Sequence, residues 1–290
     1  MEDTDASAGA HLPPGLYIIA TPIGNMGDIT LRALEVLRAV DVIACEDTRV
    51  AGKLAVLHGL SARRIPYHDH NADKVRPQIL DMVAKGRRVA LISDAGMPLI
   101  SDPGYKLVAD CAAAGLPLTC LPGPTASLTA LVLSGLPTDR FFFAGFLPPK
   151  RAARRTALSE IRAVPGTLVF YETGPRLAAS LADMRDVLGD RPAAVARELT
   201  KRFEEVRRDS LSVLAAHYDA EGGPRGEIVV VVGAPTGDMA AGWTEDVLDA
   251  RILQALATGM SVKDASHLIA AESGLKKRDV YQRALHLAQK

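Results

Sequence analysis

The stretch "LISDAGMPLISDPG", residues 91–104, ends an apolar run on an acid, then packs two glycines, two prolines and a second Ser-Asp pair into one turn. The run before it, 89–93 (VALIS), has the length and composition of a short buried strand. The segment after it, 105–114, has helical periodicity. A strand, a structured turn and a helix make the basic unit of an α/β fold, in which ligands sit beyond the carboxyl ends of the strands. Two acids in one such turn invite a metal, since Mg²⁺ takes carboxylate oxygens. Asp102 directly before Pro103, however, reads as a helix N-cap followed by proline at the first helical position, which occupies its oxygens with backbone donors. Asp94 is then the free acid at a strand end. It either starts an Asx-turn or meets a ligand, and one carboxylate suits a ribose hydroxyl or a cationic group better than a metal.

Outward from this turn, strand and helix signals alternate. Segments 16–20, 42–45, 89–93 and 117–121 read as buried strands, and 30–40, 50–58, 74–85 and 105–114 as helices, giving a mostly parallel sheet. A Gly/Pro turn cluster at 134–140 precedes a second α/β block. Its strands are expected at 141–146, 167–171, 193–198 and 227–232, and its helices at 150–162 and 176–188. The last strand, "EIVVVV", is apolar without alternation, so it belongs in the middle of its sheet. Helices at 244–257, 262–273 and 277–287 complete the chain. The expected layout is a disordered tail over 1–13, α/β domains over 14–135 and 136–236, and a helical module over 243–290.

Composition excludes several classes. The 290 residues are 48% hydrophobic and 23% charged, with 34 basic and 34 acidic residues, so bulk charge selects no partner. Cys45, Cys111 and Cys120 form no Cys-x-x-Cys pair, which fits neither a disulfide framework nor a structural zinc site. No run approaches the ~20 apolar residues of a membrane span, and the acidic, small-residue start is unlike a signal peptide. The chain reads as cytosolic.

Two further loops leave strand ends. "TPIGNMGD" (21–28) is tempting as a dinucleotide loop, but only Gly24 and Gly27 match. Pro22 also removes an N–H where a pyrophosphate needs one. "LPGPTASLTAL" (121–131) makes a rigid turn, then opens a helix of small residues at Thr125, either as a plain N-cap or as a place for close approach by a ligand. Three such loops describe a pocket for a small, polar, partly planar molecule without requiring phosphate.

These stretches, "ATPIGNMGDITLRALEVLRAVDVIACEDTR" (20–49), "LISDAGMPLISDPG" and "LPGPTASLTALVLSGLPTDRFFFAGFLPPK" (121–150), with "FYETGPRL" (170–177) and "ARELTKRFEE" (196–205), resemble the class III, tetrapyrrole-methylase-like S-adenosylmethionine methyltransferases, and within them the ribosomal RNA small subunit methyltransferase I family. The resemblance covers roughly residues 14–235. It implies two α/β domains of the tetrapyrrole methylase type with the donor in the cleft between them, a homodimer, and methylation of a cytidine ribose 2′-oxygen in the decoding region of 16S rRNA; transfer from a donor already activated needs no metal, and the sequence holds no clear metal cluster. Position by position, it implies Pro22 and Gly24 lining the donor pocket and Asp94 and Met97 on the donor's polar groups. It further implies Thr125 and Ala126 beside the methionine portion, Tyr171 and Glu172 closing the far side, and Ala196 and Arg197 approaching the adenosine. A tetrapyrrole-like small-molecule methylase and a non-catalytic nucleic-acid-binding protein are the rival readings.

A ribose hydroxyl needs a group to take its proton. Glu46, Asp47, Glu198 and Lys201 are the candidates, although Glu46 or Asp47 with Arg49 also reads as an ion-paired turn. RNA has to be held by neutralising phosphates. Lys150, Arg151, Arg154 and Arg155 cluster at the start of one helix, whereas "KRFEEVRR" (201–208) is mixed and reads as a solvated face. In "LIAAESGLKKRDVYQRAL" (268–285), Ala270, Gly274 and Val280 have helix-turn-helix spacing, with Lys276, Lys277, Arg278 and Arg283 on or near the second helix. Lys277 and Arg278 are the candidate RNA contacts there, and three capping helices are the plainer alternative.

Overall fold

The computed structural model describes residues 12–235, 244–273, 275 and 277–288. Residues 1–11 of the expected tail, the stretch 236–243, Gly274 and Lys276 lie outside the described residues. The described chain divides into two compact units, one running up to Ile161 and from Gly166 to Gly233, the other comprising Arg162–Pro165 and the chain from Ala234 onward.

The first unit holds two five-stranded sheets. The chain order opens with β1 (Gly15–Ile19), α1 (Leu31–Ala39), β2 (Val42–Cys45), α2 (Thr48–His58), β3 (Arg63–Pro66), α3 (Ala72–Ala84), β4 (Arg88–Ile92), α4 (Tyr105–Ala113), β5 (Leu118–Leu121) and α5 (Ala126–Ser134). The first sheet runs β3-β2-β4-β1-β5, all parallel. Its inner strands β1, β2 and β4 are apolar on both faces because helices cover both. Tyr17, Ile19, Ile43, Ala90 and Ile92 face one core cluster, and Leu16, Ile18, Val42, Val89 and Leu91 the other. β4 is the central strand, so the 93–104 turn leaves the middle of the sheet's carboxyl edge.

There follow β6 (Phe141–Phe146), α6 (Arg151–Glu160), β7 (Thr167–Thr173), α7 (Gly174–Leu188), β8 (Pro192–Arg197), β9 (Glu205–Ser210), α8 (Leu211–Glu221) and β10 (Glu227–Val232). The second sheet runs β6-β7-β10-β8-β9. β6 and β7 are parallel and the remaining pairs antiparallel. β10 is central, as its unbroken apolar run requires. α5 follows the last strand of the first sheet, but its Ala130 and Leu131 pack with Val169, Ala194, Ala196, Val229 and Val231 of the second. The two sheets therefore share a core element.

Three elements were not legible in the sequence: the strands β3 and β9 and the helix α8. β3 (RRIP) and β9 (EVRRDS) are edge strands carrying charged residues, the device by which sheets avoid further pairing. Half of the segment read as a solvated charged face is thus strand, with Arg207 and Arg208 exposed along it.

The expectation for Asp102 is corrected. α4 begins at Tyr105 with Gly104 as N-cap, and Pro103 stays outside the helix. Leu99 (φ 73°) and Ser101 (φ 64°) occupy the left-handed region, which turns the chain back before the helix can start. Gly104 has φ 130°, and a Cβ there would lie 2.9 Å from the Leu91 side chain, so glycine is needed for both reasons.

In the second unit, α9 (Glu245–Ala257), α10 (Val262–Ser273) and α11 (Lys277–Ala288) enclose Ile252, Ala255, Ala265, Ile269, Val280 and Ala284. Arg283 forks onto Asp249 at 2.6 and 2.7 Å, and Arg251 onto Glu272 at 3.0 and 2.8 Å. Arg283 is thereby committed to holding its own bundle together. Among the described residues no helix is long and apolar enough to cross a membrane.

Candidate active site

The turn after β4 is clamped before it reaches any ligand. Thr21 and Gly96 exchange backbone hydrogen bonds at 2.9 and 3.0 Å, and the Thr21 hydroxyl donates to the Ser93 carbonyl at 3.1 Å. Ser93 Oγ donates to the Gly96 carbonyl at 3.0 Å. The Asp47 backbone N–H donates to Asp94 Oδ1 at 3.1 Å, which ties the turn to the end of β2. Gly96 sits at φ 79°, with Ile23 close enough that a Cβ would meet it at 3.3 Å. The loop after β1 is fixed to the second sheet as well, through an Asn25 N–H to Thr200 Oγ1 bond of 3.1 Å. Gly24 packs so closely on the 199–201 turn that a Cβ would lie 2.5 Å from Lys201 Cγ.

These loops and the second sheet enclose a cleft of about 260 Å³. The first sheet contributes Ile23, residues 95–97 and 100–102, and Ala126 at the start of α5. The second contributes Phe146, Tyr171–Thr173, Leu199 and the start of β10. A β-bulge between Phe143 and Gly145 bends β6 toward the turn, and a Cβ on Gly145 (φ 63°) would lie 3.3 Å from Ser101 Oγ. Phe143 and Phe146 pack edge-on to the Tyr171 ring at 4.9 and 5.4 Å. The Tyr171 hydroxyl bonds to Ser127 and Thr125 at the N-terminus of α5. Its pKa is raised, first by burial. Mostly apolar walls with a few converging polar groups are the usual make-up of a small-molecule site.

Asp102 lines this cleft. Burial, and then the Glu46 charge, push its carboxyl up to about 6; a bond from Ser93 opposes the shift and Asp94 adds to it. Glu46 itself is raised by burial, then by Asp94 and Asp69. Asp94 is raised by burial, against the lowering effect of the Asp47 N–H.

The family model described as Tetrapyrrole (Corrin/Porphyrin) Methylases matches residues 15–215, and that described as RsmI C-terminal HTH domain matches residues 244–288. Two curated relatives are each called ribosomal RNA small subunit methyltransferase I. The one from Erythrobacter litoralis is 51% identical over 95% of this chain and 96% of its own length. The one from Mesorhizobium japonicum is 49% identical over 95% of this chain and 93% of its own. The chain belongs to the ribosomal RNA small subunit methyltransferase I family. Its α/β unit shares its fold with a crystal structure of uroporphyrin-III C-methyl transferase from Thermus thermophilus complexed with S-adenyl homocysteine. That match has a TM-score of 0.53 and 21% identity over 76% of this chain and 97% of that one.

In this methyltransferase, Met97, Ala126, Tyr171 and Glu172 come together on the cleft wall. Glu172 is buried and fully engaged, accepting from the Thr173 N–H at 2.8 Å and from Ser180 Oγ, with Arg176 Nε at 3.3 Å. Thr125 acts from behind, through Tyr171. Ala196 is buried in β8 beneath the cleft, and Arg197 pairs with Glu205 at 3.1 Å. Pro22 and Asp94 line a separate crevice of about 20 Å³, and Gly24 serves loop packing. Asp94, favoured on sequence as the ligand-facing acid, thus tethers two loops, while Asp102 faces the cleft.

The base candidates also separate. Asp47 caps α2 and forks onto Arg49, which holds its carboxyl down to about 2. Lys201 lies 2.8 Å from Glu198 and 3.1 Å from Glu227. Lys201 lowers the Glu198 pKa. Burial opposes the charge on Lys201, but its two acids outweigh burial and raise it. On α6, Arg154 is only 5% exposed and bonds Asp183 at 2.6 Å, so it is structural and cannot reach a phosphate. Arg155 is shared between Asp183 and Asp186. Arg151, 72% exposed, touches Asp183 at 3.1 Å, and Lys150 is exposed.

Sequence reasoning passed over Asp102, Ile100 and Phe146. The glycine inside "FFFAGF" was a legible sign of a bulge; nothing local marked the left-handed residues that free Asp102 from a cap.

Proposed function

We propose that this chain transfers the methyl group of S-adenosylmethionine to the ribose 2′-oxygen of a cytidine in the decoding region of 16S rRNA. The cleft between the two sheets carries this reading. Its apolar walls, Ile23, Ile100, Phe146 and Val229, suit an adenosine. When bound, the donor supplies a methyl group already activated on a sulfonium, so the protein's task is mainly positioning, worth ~7–11 kcal/mol for well-aligned reactants. The clamped 93–96 turn and the Tyr171 bonds to α5 hold the walls in place, which keeps that alignment. Met97, Ala126, Tyr171 and Glu172 are the donor contacts in this reading, with Thr125 and Ala196 supporting them.

RNA is held by exposed basic groups. Lys150 and Arg151 flank the start of α6, and Arg278, 87% exposed, follows Lys277 at the start of α11. Exposed Leu128 and Val132 on α5, with Phe141 and Phe142 on β6, offer an apolar surface for a second copy, and the chain acts as a homodimer in this reading.

The test is methyl transfer from labelled donor into purified small subunits and into naked rRNA, with the modified atom mapped and donor binding followed by calorimetry. Label on a ribose 2′-oxygen is expected. Label on base atoms, or no donor binding, refutes the reading.

A further inference from the structure

Asp102 belongs to two walls. Besides the donor cleft it lines a second cavity of about 370 Å³, bounded by Tyr67 and Asp69 in the loop after β3, Asp73 in the first turn of α3, and Tyr105 and Lys106 at the start of α4. Tyr67 is buried and forms the floor. Tyr105 is 74% exposed, an unusual position for an aromatic ring, and Lys106 beside it is exposed too. Single-stranded RNA is read by stacking splayed bases on aromatic rings while basic groups neutralise phosphates. The cavity thus offers a stacking surface, a cation at its rim and acids inside for hydroxyl donors.

We propose that this second cavity receives the acceptor nucleotide, with its base on Tyr105, and that the Asp102 carboxylate, at the wall between the cavities, takes the proton from the ribose hydroxyl. The proposal rests on the methyl-transfer reading above. As the ribose oxygen gains its bond to the methyl carbon, the bond from that carbon to sulfur breaks and its electron pair stays on sulfur. The hydroxyl proton passes to an Asp102 carboxylate oxygen and from there to water.

The other carboxylates fit this role less well. Asp47 and Glu198 are held by cations, and Glu46 lines neither cavity. Four groups act on or beside Asp102: Ser93 at the end of β4, Asp94 on the same turn, Glu46 after β2 and Tyr171 of β7. The two acids and burial raise its carboxyl to about 6, which leaves it ionised but basic at neutral pH, as a general base requires.

The test compares the full chain with Asp102→Asn and Tyr105→Ala. Readouts are single-turnover methyl transfer into small subunits from pH 5 to 8, donor affinity by calorimetry, and RNA affinity by anisotropy. The wild-type rate is expected to fall below pH 6; Asp102→Asn is expected to slow transfer by ~10²-fold or more, to keep donor affinity, and to remove that fall. Tyr105→Ala is expected to weaken RNA binding by ~5-fold or more with donor binding unchanged. An Asp102→Asn protein that keeps its rate, or loses donor affinity in step with rate, overturns the proposal, as does unchanged RNA affinity in Tyr105→Ala. A wild-type protein that transfers no methyl group to rRNA fails the methyl-transfer reading instead.

Discussion

Replacing Asp102 by Asn has a consequence for stability that is independent of catalysis. The carboxyl is raised from 3.8 to about 6, so the folded protein holds this proton more tightly than the unfolded chain does. Folding stability therefore falls as pH rises through this window, the opposite of the usual salt-bridged acid. At ~1.4 kcal/mol per pKa unit, the penalty at pH 7–8 is about 3 kcal/mol, roughly half of that at pH 5, and nearly nothing below pH 4. Asn keeps the shape but cannot ionise. Asp102→Asn should thus melt higher than the wild type at pH 8, by ~6–12 °C for a unit of this size, and the difference should shrink on acidification. Differential scanning calorimetry of both proteins at pH 5, 6.5 and 8 measures it. A variant no more stable than the wild type at pH 8, or a gain that does not depend on pH, would refute the reading of Asp102 as a desolvated acid.

Asp183→Ala strands the buried Arg154 guanidinium and should destabilise the α/β unit by ~3–5 kcal/mol, whereas Arg154→Met with Asp183→Leu should recover most of the loss; thermal melts of the three proteins decide it. Lys277→Glu with Arg278→Glu should weaken binding to small subunits and flatten its salt dependence by ~1 to 2 in log-log slope, leaving donor affinity unchanged in calorimetry. An unaltered slope would remove α11 from the RNA surface.

Much of the fold is written locally. The inner strands of the first sheet, β1, β2 and β4, carry apolar runs because both faces are covered, and β10 carries "VVVV" because it lies in the middle of its sheet. The long motifs around the glycine turns sufficed for the family. The edge strands β3 and β9 escaped notice because their residues face water, so their composition is that of a surface loop.

Which acid faces the cleft was not decided locally. "LISDAGMPLISDPG" holds Asp94 and Asp102 in near-equivalent Ser-Asp pairs, and short-range turn chemistry alone does not show which of them lines the larger cleft. Asp94 is committed by the Asp47 N–H, 47 residues away, and Asp102 is released from capping by two left-handed residues that tertiary packing imposes. The basic run 150–155 follows the same rule, since Asp183 on α7 turns Arg154 from a surface cation into a buried tie. Sequence by itself determined the buried strands, most of the helices and the family, because those depend on periodicity and on residue types along the chain. Tertiary structure alone decided which charges stay free, because a charge is neutralised by whatever lies within hydrogen-bond reach in space, wherever that partner falls in the chain.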